Sequence, residues 1–325
     1  MVESCEPAEL AERVAAAARL LEGQVVETPL VACPWLSDEL GVEVRWKLEN
    51  IQDTGSFKLR GATHALLQLD DDGRARGVVA ASSGNHGLGV AAAAQKLGIA
   101  AEVYVPTTTP IKKREAIERY GARVEVFGDD CVVTERRARE VADATGRAYV
   151  SPYNDATVVA GQGTVMREIG AVWPEVGTVY VAVGGGGLIS GMAAYGKARH
   201  PGTEFVGCSP IASAAMAECV RRGELFEVPC GPTWSDSTAG GVEEGAVTFS
   251  WCRELVDRFV DVGEDAIERA MRDALVHQHM LVEGAVGVAI AACRADDARR
   301  DGGVAIVVCG GNLPYDLVQR LVCSG

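Results

Sequence analysis

A chain of 325 residues suggests about two domains, and an apolar fraction of 48% is ample for buried cores. Its formal net charge of -14 repels nucleic-acid backbones and anionic membrane surfaces, so a small molecule is the expected partner. Residues 1–10 lack a basic leader pattern and no apolar run approaches about 18 residues, so a cytoplasmic protein with no membrane span is expected.

Residues 8–22 read as an alanine- and leucine-rich helix, and residues 25–30 as an extended arm. A strand over 42–48 leads into Thr54-Gly55-Ser56-Phe57-Lys58-Leu59-Arg60-Gly61-Ala62. Phe57 and Leu59 flank Lys58 with apolar groups, which would desolvate the ammonium, lower its pKa and leave an amine able to attack a carbonyl. A plain helix-start lysine capped by Thr54 or Ser56 fits the same stretch equally well. A helix follows over 61–69. A strand over 77–81 then runs into Ser82-Ser83-Gly84-Asn85-His86-Gly87, with a helix over 88–97. Strand, helix, strand and helix at 101–105, 111–120, 123–127 and 131–145 complete a parallel α/β block.

A second block begins near residue 150. Ala160-Gly161-Gln162-Gly163-Thr164 opens a helix to residue 169, and a strand over 178–183 enters Gly184-Gly185-Gly186-Gly187-Leu188 with another helix beyond. A strand over 205–208, a helix over 212–222, an irregular 227–245, helices over 247–255, 264–279 and 284–294, and a strand over 304–308 follow. The last strand ends in Cys309-Gly310-Gly311-Asn312. Alternating strands and helices predict an α/β fold of two doubly wound domains with mainly parallel sheets and a cleft between them. Ten cysteines, scattered without metal-site spacing, are expected to be mostly reduced core thiols.

Four consecutive glycines are entropically costly, so Gly184, Gly185, Gly186 and Gly187 suggest a loop whose N–H groups approach an anion at a helix N-terminus. A dinucleotide site would need an acidic residue about 20 positions on, at a strand's end, and Glu204 opens the next strand instead. A phosphate cradle and a desolvated lysine together are what an aldehyde bearing a phosphate requires, and pyridoxal 5'-phosphate is such a cofactor.

With these four motifs in order, Ser56 to Ala62, Ser82 to His86, Gly184 to Leu188 and Cys309 to Asn312, the chain resembles the tryptophan-synthase-β-like (fold type II) pyridoxal enzymes. Within them it is similar to the serine/threonine dehydratases and serine racemases. The resemblance implies Lys58 as the Schiff-base lysine, Phe57 packing beside the cofactor, Asn85 at the ring hydroxyl, Gly184 to Leu188 around the phosphate, and Cys309 facing the ring nitrogen. It implies that Ser82, Ser83, Asn85 and His86 clamp the substrate carboxylate. A neutral thiol at the ring nitrogen favours β-elimination over transamination. Lys58 is then the expected base and Ser83 the second-face group should the enzyme racemise.

The implied function is a lyase that dehydrates a β-hydroxy-α-amino acid such as threonine or serine to a 2-oxo acid and ammonia. The alternatives are a serine-type racemase or a dehydratase of another substrate such as 3-hydroxyaspartate. A homodimer is expected, with residues 1–50 and 150–325 as a large cofactor-binding domain and 51–149 as a small mobile one. Two stretches depart from the family: Ser209, Ser213 and Ala215 stand where divalent-cation-dependent members carry carboxylates, so no metal is expected. Ser235 to Gly241 replaces an Ala-Asp-Gly-Ile-Ala-Val-like run, which leaves open which hydroxy amino acid is the substrate.

Overall fold

A computed structural model describes residues 5–298 and 301–323; the first four residues of the N-terminal stretch lie outside them. Ten strands run in chain order as β1 (Leu30–Ala32), β2 (Val44–Leu48), β3 (Val78–Ala81), β4 (Ala101–Val105), β5 (Arg123–Val126), β6 (Ala148–Tyr149), β7 (Thr178–Ala182), β8 (Glu204–Pro210), β9 (Arg258–Val262) and β10 (Val304–Val308). They form two sheets, a six-stranded one ordered β1-β2-β10-β7-β8-β9 and a four-stranded one ordered β5-β4-β3-β6. Among the described strands only β1 runs antiparallel.

The physical reason is visible in the strands themselves. Every residue of β7 and β10 is buried. Their unbroken apolar runs need cover on both faces, which parallel crossovers with intervening helices supply. β9 carries Arg258 and Asp261 among its apolar residues, so it does not read as a strand in sequence. It holds the sheet edge, where Arg258 pairs with Glu204 of β8 at 2.7 Å.

Most helices match their sequence pattern, and three start earlier than expected. The helix expected from residue 160 spans Ala156–Val172, because Asp155 accepts from the Thr157 N–H at 2.7 Å as its N-cap. That of 61–69 spans Lys58–Leu67, and that of 88–97 spans Asn85–Leu97. Short helices at Pro34–Leu40 and Asp71–Arg76 and a terminal one at Tyr315–Cys323 have no counterpart in the sequence reading. Cys131, Cys230 and Cys323 are exposed, unlike the buried Cys33, Cys208, Cys219, Cys252, Cys293 and Cys309.

Helix Ala156–Val172 runs between helix Lys58–Leu67 and helix Gly187–Arg199. On one side a Cβ at Gly161 would stand 2.8 Å from the Gly61 Cα, and on the other a Cβ at Gly163 would stand 2.6 Å from the Gly191 carbonyl oxygen. Backbone therefore meets backbone on both sides of this helix, which only glycine permits.

Candidate active site

Lys58 is the first residue of its helix, at the positive end of the helix dipole. Its Nζ donates to the Pro152 carbonyl at 2.8 Å and lies 5.2 Å from the centre of the Phe57 ring. Burial pushes the amine down to about 8. The lysine therefore has a substantial neutral fraction near physiological pH, unlike a solvated one.

The turn Ser82 to His86 ends β3 and opens helix Asn85–Leu97. Ser82 Oγ accepts from the Gly84 N–H at 3.2 Å, and Ser83 is half-buried beside it. His86 turns inward, with Nε2 at 2.8 Å from the Val150 carbonyl; burial and the nearby Lys58 push it down to about 3. Its imidazole is a neutral core group, and what it offers an anion is its backbone N–H.

Asn85 is gripped from across the cleft. Its Nδ2 donates to both carboxylate oxygens of Glu283, at 2.9 and 3.0 Å, and its Oδ1 accepts from Asn312 Nδ2 at 2.8 Å. Glu283 also accepts from the Asn312 N–H at 2.8 Å and is only 2% exposed. Burial raises its pKa, with the Asn85 and Asn312 donors opposing. Sequence reading missed Glu283. The available signal was one acid, between Val282 and Gly284, at the head of an otherwise apolar helix, Gly284–Ala295.

Gly184 to Gly187 leave β7 and cap helix Gly187–Arg199, with Gly186 at φ 82°. Among the described residues no backbone carbonyl accepts from the Gly184, Gly185 or Gly186 N–H, so these donors stay available. A Cβ on Gly185 would lie 2.4 Å from the Tyr153 ring, and one on Gly184 would lie 3.1 Å from Thr238. Thr248 Oγ1 donates to the Gly185 carbonyl at 2.7 Å. Leu188 follows, buried in the first turn of the helix. Tyr153 is a second residue the sequence reading missed. Cys309, 5% exposed, follows β10, and its carbonyl accepts from the Phe57 N–H at 3.1 Å. Burial, then the charge of Glu283, holds its thiol well above its ordinary pKa, so it is neutral.

Beneath the lysine helix lies a buried ion cluster. Arg60 pairs with Glu49 at 2.7 Å and Glu168 at 2.6 Å, and Lys47 pairs with Glu168 at 2.5 Å. Burial would raise Glu49, but Arg60 outweighs it and holds the carboxyl below its usual range.

At the end of β8, Ser209 Oγ is buried without a hydrogen-bond partner, while Ser213 Oγ accepts from the Gly240 N–H at 3.0 Å. The acids nearest in sequence are engaged elsewhere, Glu204 with Arg258 and Glu218 with Arg221, each at 2.7 Å.

The family model described as pyridoxal-phosphate dependent enzyme matches residues 21–310. The chain belongs to that family. It is 37% identical over 314 residues to an L-threonine ammonia-lyase of Thermotoga maritima, covering 97% of this chain and 78% of the relative. Among solved structures it is similar to the threonine deaminase of T.th., with TM-score 0.87, 34% identity and coverage of 94% and 98%. It is also similar to maize serine racemase, with TM-score 0.90, 29% identity and coverage of 96% of both chains. As a member of this family the enzyme uses pyridoxal phosphate. The residues present fit it: a buried amine with a lowered pKa, and a glycine cradle with unclaimed donors that a Cβ would fill. No helix among the described residues is long and apolar enough to cross a membrane.

Proposed function

We propose that the enzyme dehydrates a β-hydroxy-α-amino acid such as threonine or serine, releasing a 2-oxo acid and ammonia. The observation that carries this reading is the buried Lys58 amine, lowered to about 8, on a helix that packs on one side of Ala156–Val172 while the helix of the glycine loop packs on the other. The 37% identity to a threonine ammonia-lyase supports the substrate class. When bound, pyridoxal phosphate supplies an aldehyde for amine capture and an electron-withdrawing ring. The glycine loop binds its phosphate through the unclaimed N–H groups and the helix N-terminus. Asn85, held by Glu283 and Asn312, would border the cofactor ring. Lys58 Nζ, once free, takes the α-proton of the substrate, and the neutral Cys309 thiol places no charge near the ring. The Ser82 to His86 turn orients the substrate carboxylate with hydroxyls and backbone N–H groups. Residues 51–149 would then act as a small lid on the rest, in a cytoplasmic homodimer, and light scattering tests the dimer. Purified enzyme given threonine or serine should release 2-oxo acid and ammonia in equal amounts; release of neither would defeat the proposal.

A racemase reading is favoured by the likeness to maize serine racemase and by the half-buried Ser83 in the carboxylate turn. Racemisation alone needs a proton donor on the second face of the substrate. Ser83→Ala is therefore expected to reduce racemisation roughly tenfold more than dehydration, within the range of a general acid. Chiral chromatography of residual substrate measures the ratio, and equal loss of both activities removes Ser83 from that role.

The Ser209 turn is proposed to bind no divalent cation, since Mg²⁺ and Ca²⁺ call for carboxylate oxygens and Glu204 and Glu218 are already paired. Turnover should survive EDTA within about twofold. Loss that Mg²⁺ restores and K⁺ does not would refute this.

A further inference from the structure

The irregular segment 227–245 lies on the glycine loop and reaches helix Cys131–Thr145 near its end. Glu243 is its key residue. Its backbone N–H donates to the Tyr153 hydroxyl at 2.9 Å, the tyrosine whose ring covers Gly185. Its Oε2 accepts from Asn154 Nδ2 at 3.0 Å and from Arg139 Nη2 at 2.9 Å. Arg139 belongs to helix Cys131–Thr145, which packs on the four-stranded sheet, and the same Nη2 donates to Glu135 at 2.7 Å. One guanidinium thus faces two carboxylates. The other Glu243 oxygen, Oε1, is buried with no donor among the described residues.

Two adjacent carboxylates that share one cation cannot both ionise cheaply, and a buried acceptor without a donor is costly. A single proton between them resolves both costs. We propose that Glu243 is a positioning residue which, sharing one proton with Glu135, fastens segment 227–245 and Tyr153 to helix Cys131–Thr145 and so holds the glycine loop in shape. The charged and titratable groups around the pair are Arg139 and Glu135 from that helix, Tyr149 from β6 and Tyr153 from the following loop. Tyr149 donates to Glu135 at 3.2 Å. Burial raises both tyrosines, so each remains neutral. Burial also raises Glu243, with Glu135 adding to the rise and Asn154 and Arg139 opposing it.

The sign follows from linkage. A carboxyl whose pKa is raised in the fastened state binds its proton more tightly there than when released. Fastening is therefore favoured as pH falls and is lost as pH rises through the raised value. Glu243→Gln replaces the shared proton with a permanent amide donor to Glu135 while its oxygen still accepts from Arg139 and Asn154.

The inference rests on the cofactor reading above, and one experiment separates the two. The dissociation constant for pyridoxal phosphate is measured by fluorescence from about pH 5 to about pH 8, a span covering raised carboxyl values, in wild type, Glu243→Gln and Glu135→Gln. Direct titration of the cofactor and of Lys58 is common to all three and cancels in the ratios. Wild-type affinity should fall relative to each glutamine variant by up to roughly tenfold per pH unit, the limit for one coupled proton. Ratios that stay flat overturn the proposal, and a purely structural role would leave them flat. Should one variant misfold, the other carries the test, because the proton belongs to the pair. A wild type that binds no pyridoxal phosphate at any pH defeats the cofactor reading itself, and this proposal with it.

Discussion

Lys58→Ala is expected to lower turnover on the order of a thousandfold or more, since it removes the group proposed both to capture the aldehyde and to take the α-proton. The fold should survive. Alanine suits a helix better than lysine, and the Pro152 carbonyl loses only one donor. Because the amine is depressed to about 8, its buried positive charge costs stability below that pH, and the cost vanishes as pH rises above the unfolded value. The variant should therefore match or exceed wild type in urea midpoint in mild acid. In wild type, cofactor capture should quicken as pH rises through about 8. A pure variant that still turns over at the wild-type rate would remove Lys58 from the mechanism.

Two residues along the same helix, Arg60→Met should act on stability instead. It strips the guanidinium from Glu49, 0% exposed, and Glu168, 7% exposed, leaving Lys47 alone against two buried carboxylates. Breaking such a cluster costs about 3–5 kcal/mol. In wild type Glu49 is held below its ordinary value, so its contribution is present at neutral pH and lost as pH falls through that lowered value. Without Arg60, burial prevails and the sign reverses, so the variant's deficit should shrink in acid. Urea titrations at two pH values measure both effects. A neutral-pH loss below about 1 kcal/mol would mean that the cluster relaxes into water.

Most sheet strands, though not β1, β6 or β9, and the glycine loop were legible because their signals are local. Unbroken apolar runs mark β7 and β10, and the Phe57-Lys58-Leu59 setting marks a desolvated amine. The turn that carries Asn85 was legible too, but the grip on Asn85 was not, since Glu283 is 198 residues away and stands alone in sequence. Glu243 and Tyr153 escaped for the same reason: each acquires meaning only when segment 227–245 folds over the loop. Asp155 was a local signal that the reading overlooked, and it moved a helix start by four residues.

The backbone contacts along helix Ala156–Val172 act as a ruler. Gly61 against Gly161 sets how near the lysine-bearing helix can come, and Gly163 against Gly191 does the same for the helix of the glycine loop. The span between the two proposed cofactor anchors, Lys58 and the glycine loop, is therefore written in atoms that no rotamer change can adjust. Laboratory evolution toward other hydroxy amino acids should find its useful variation around Ser83, Tyr153 and Ser235 to Gly241. Positions 61, 161, 163 and 191 should return as glycine in every active clone, whatever substrate is selected.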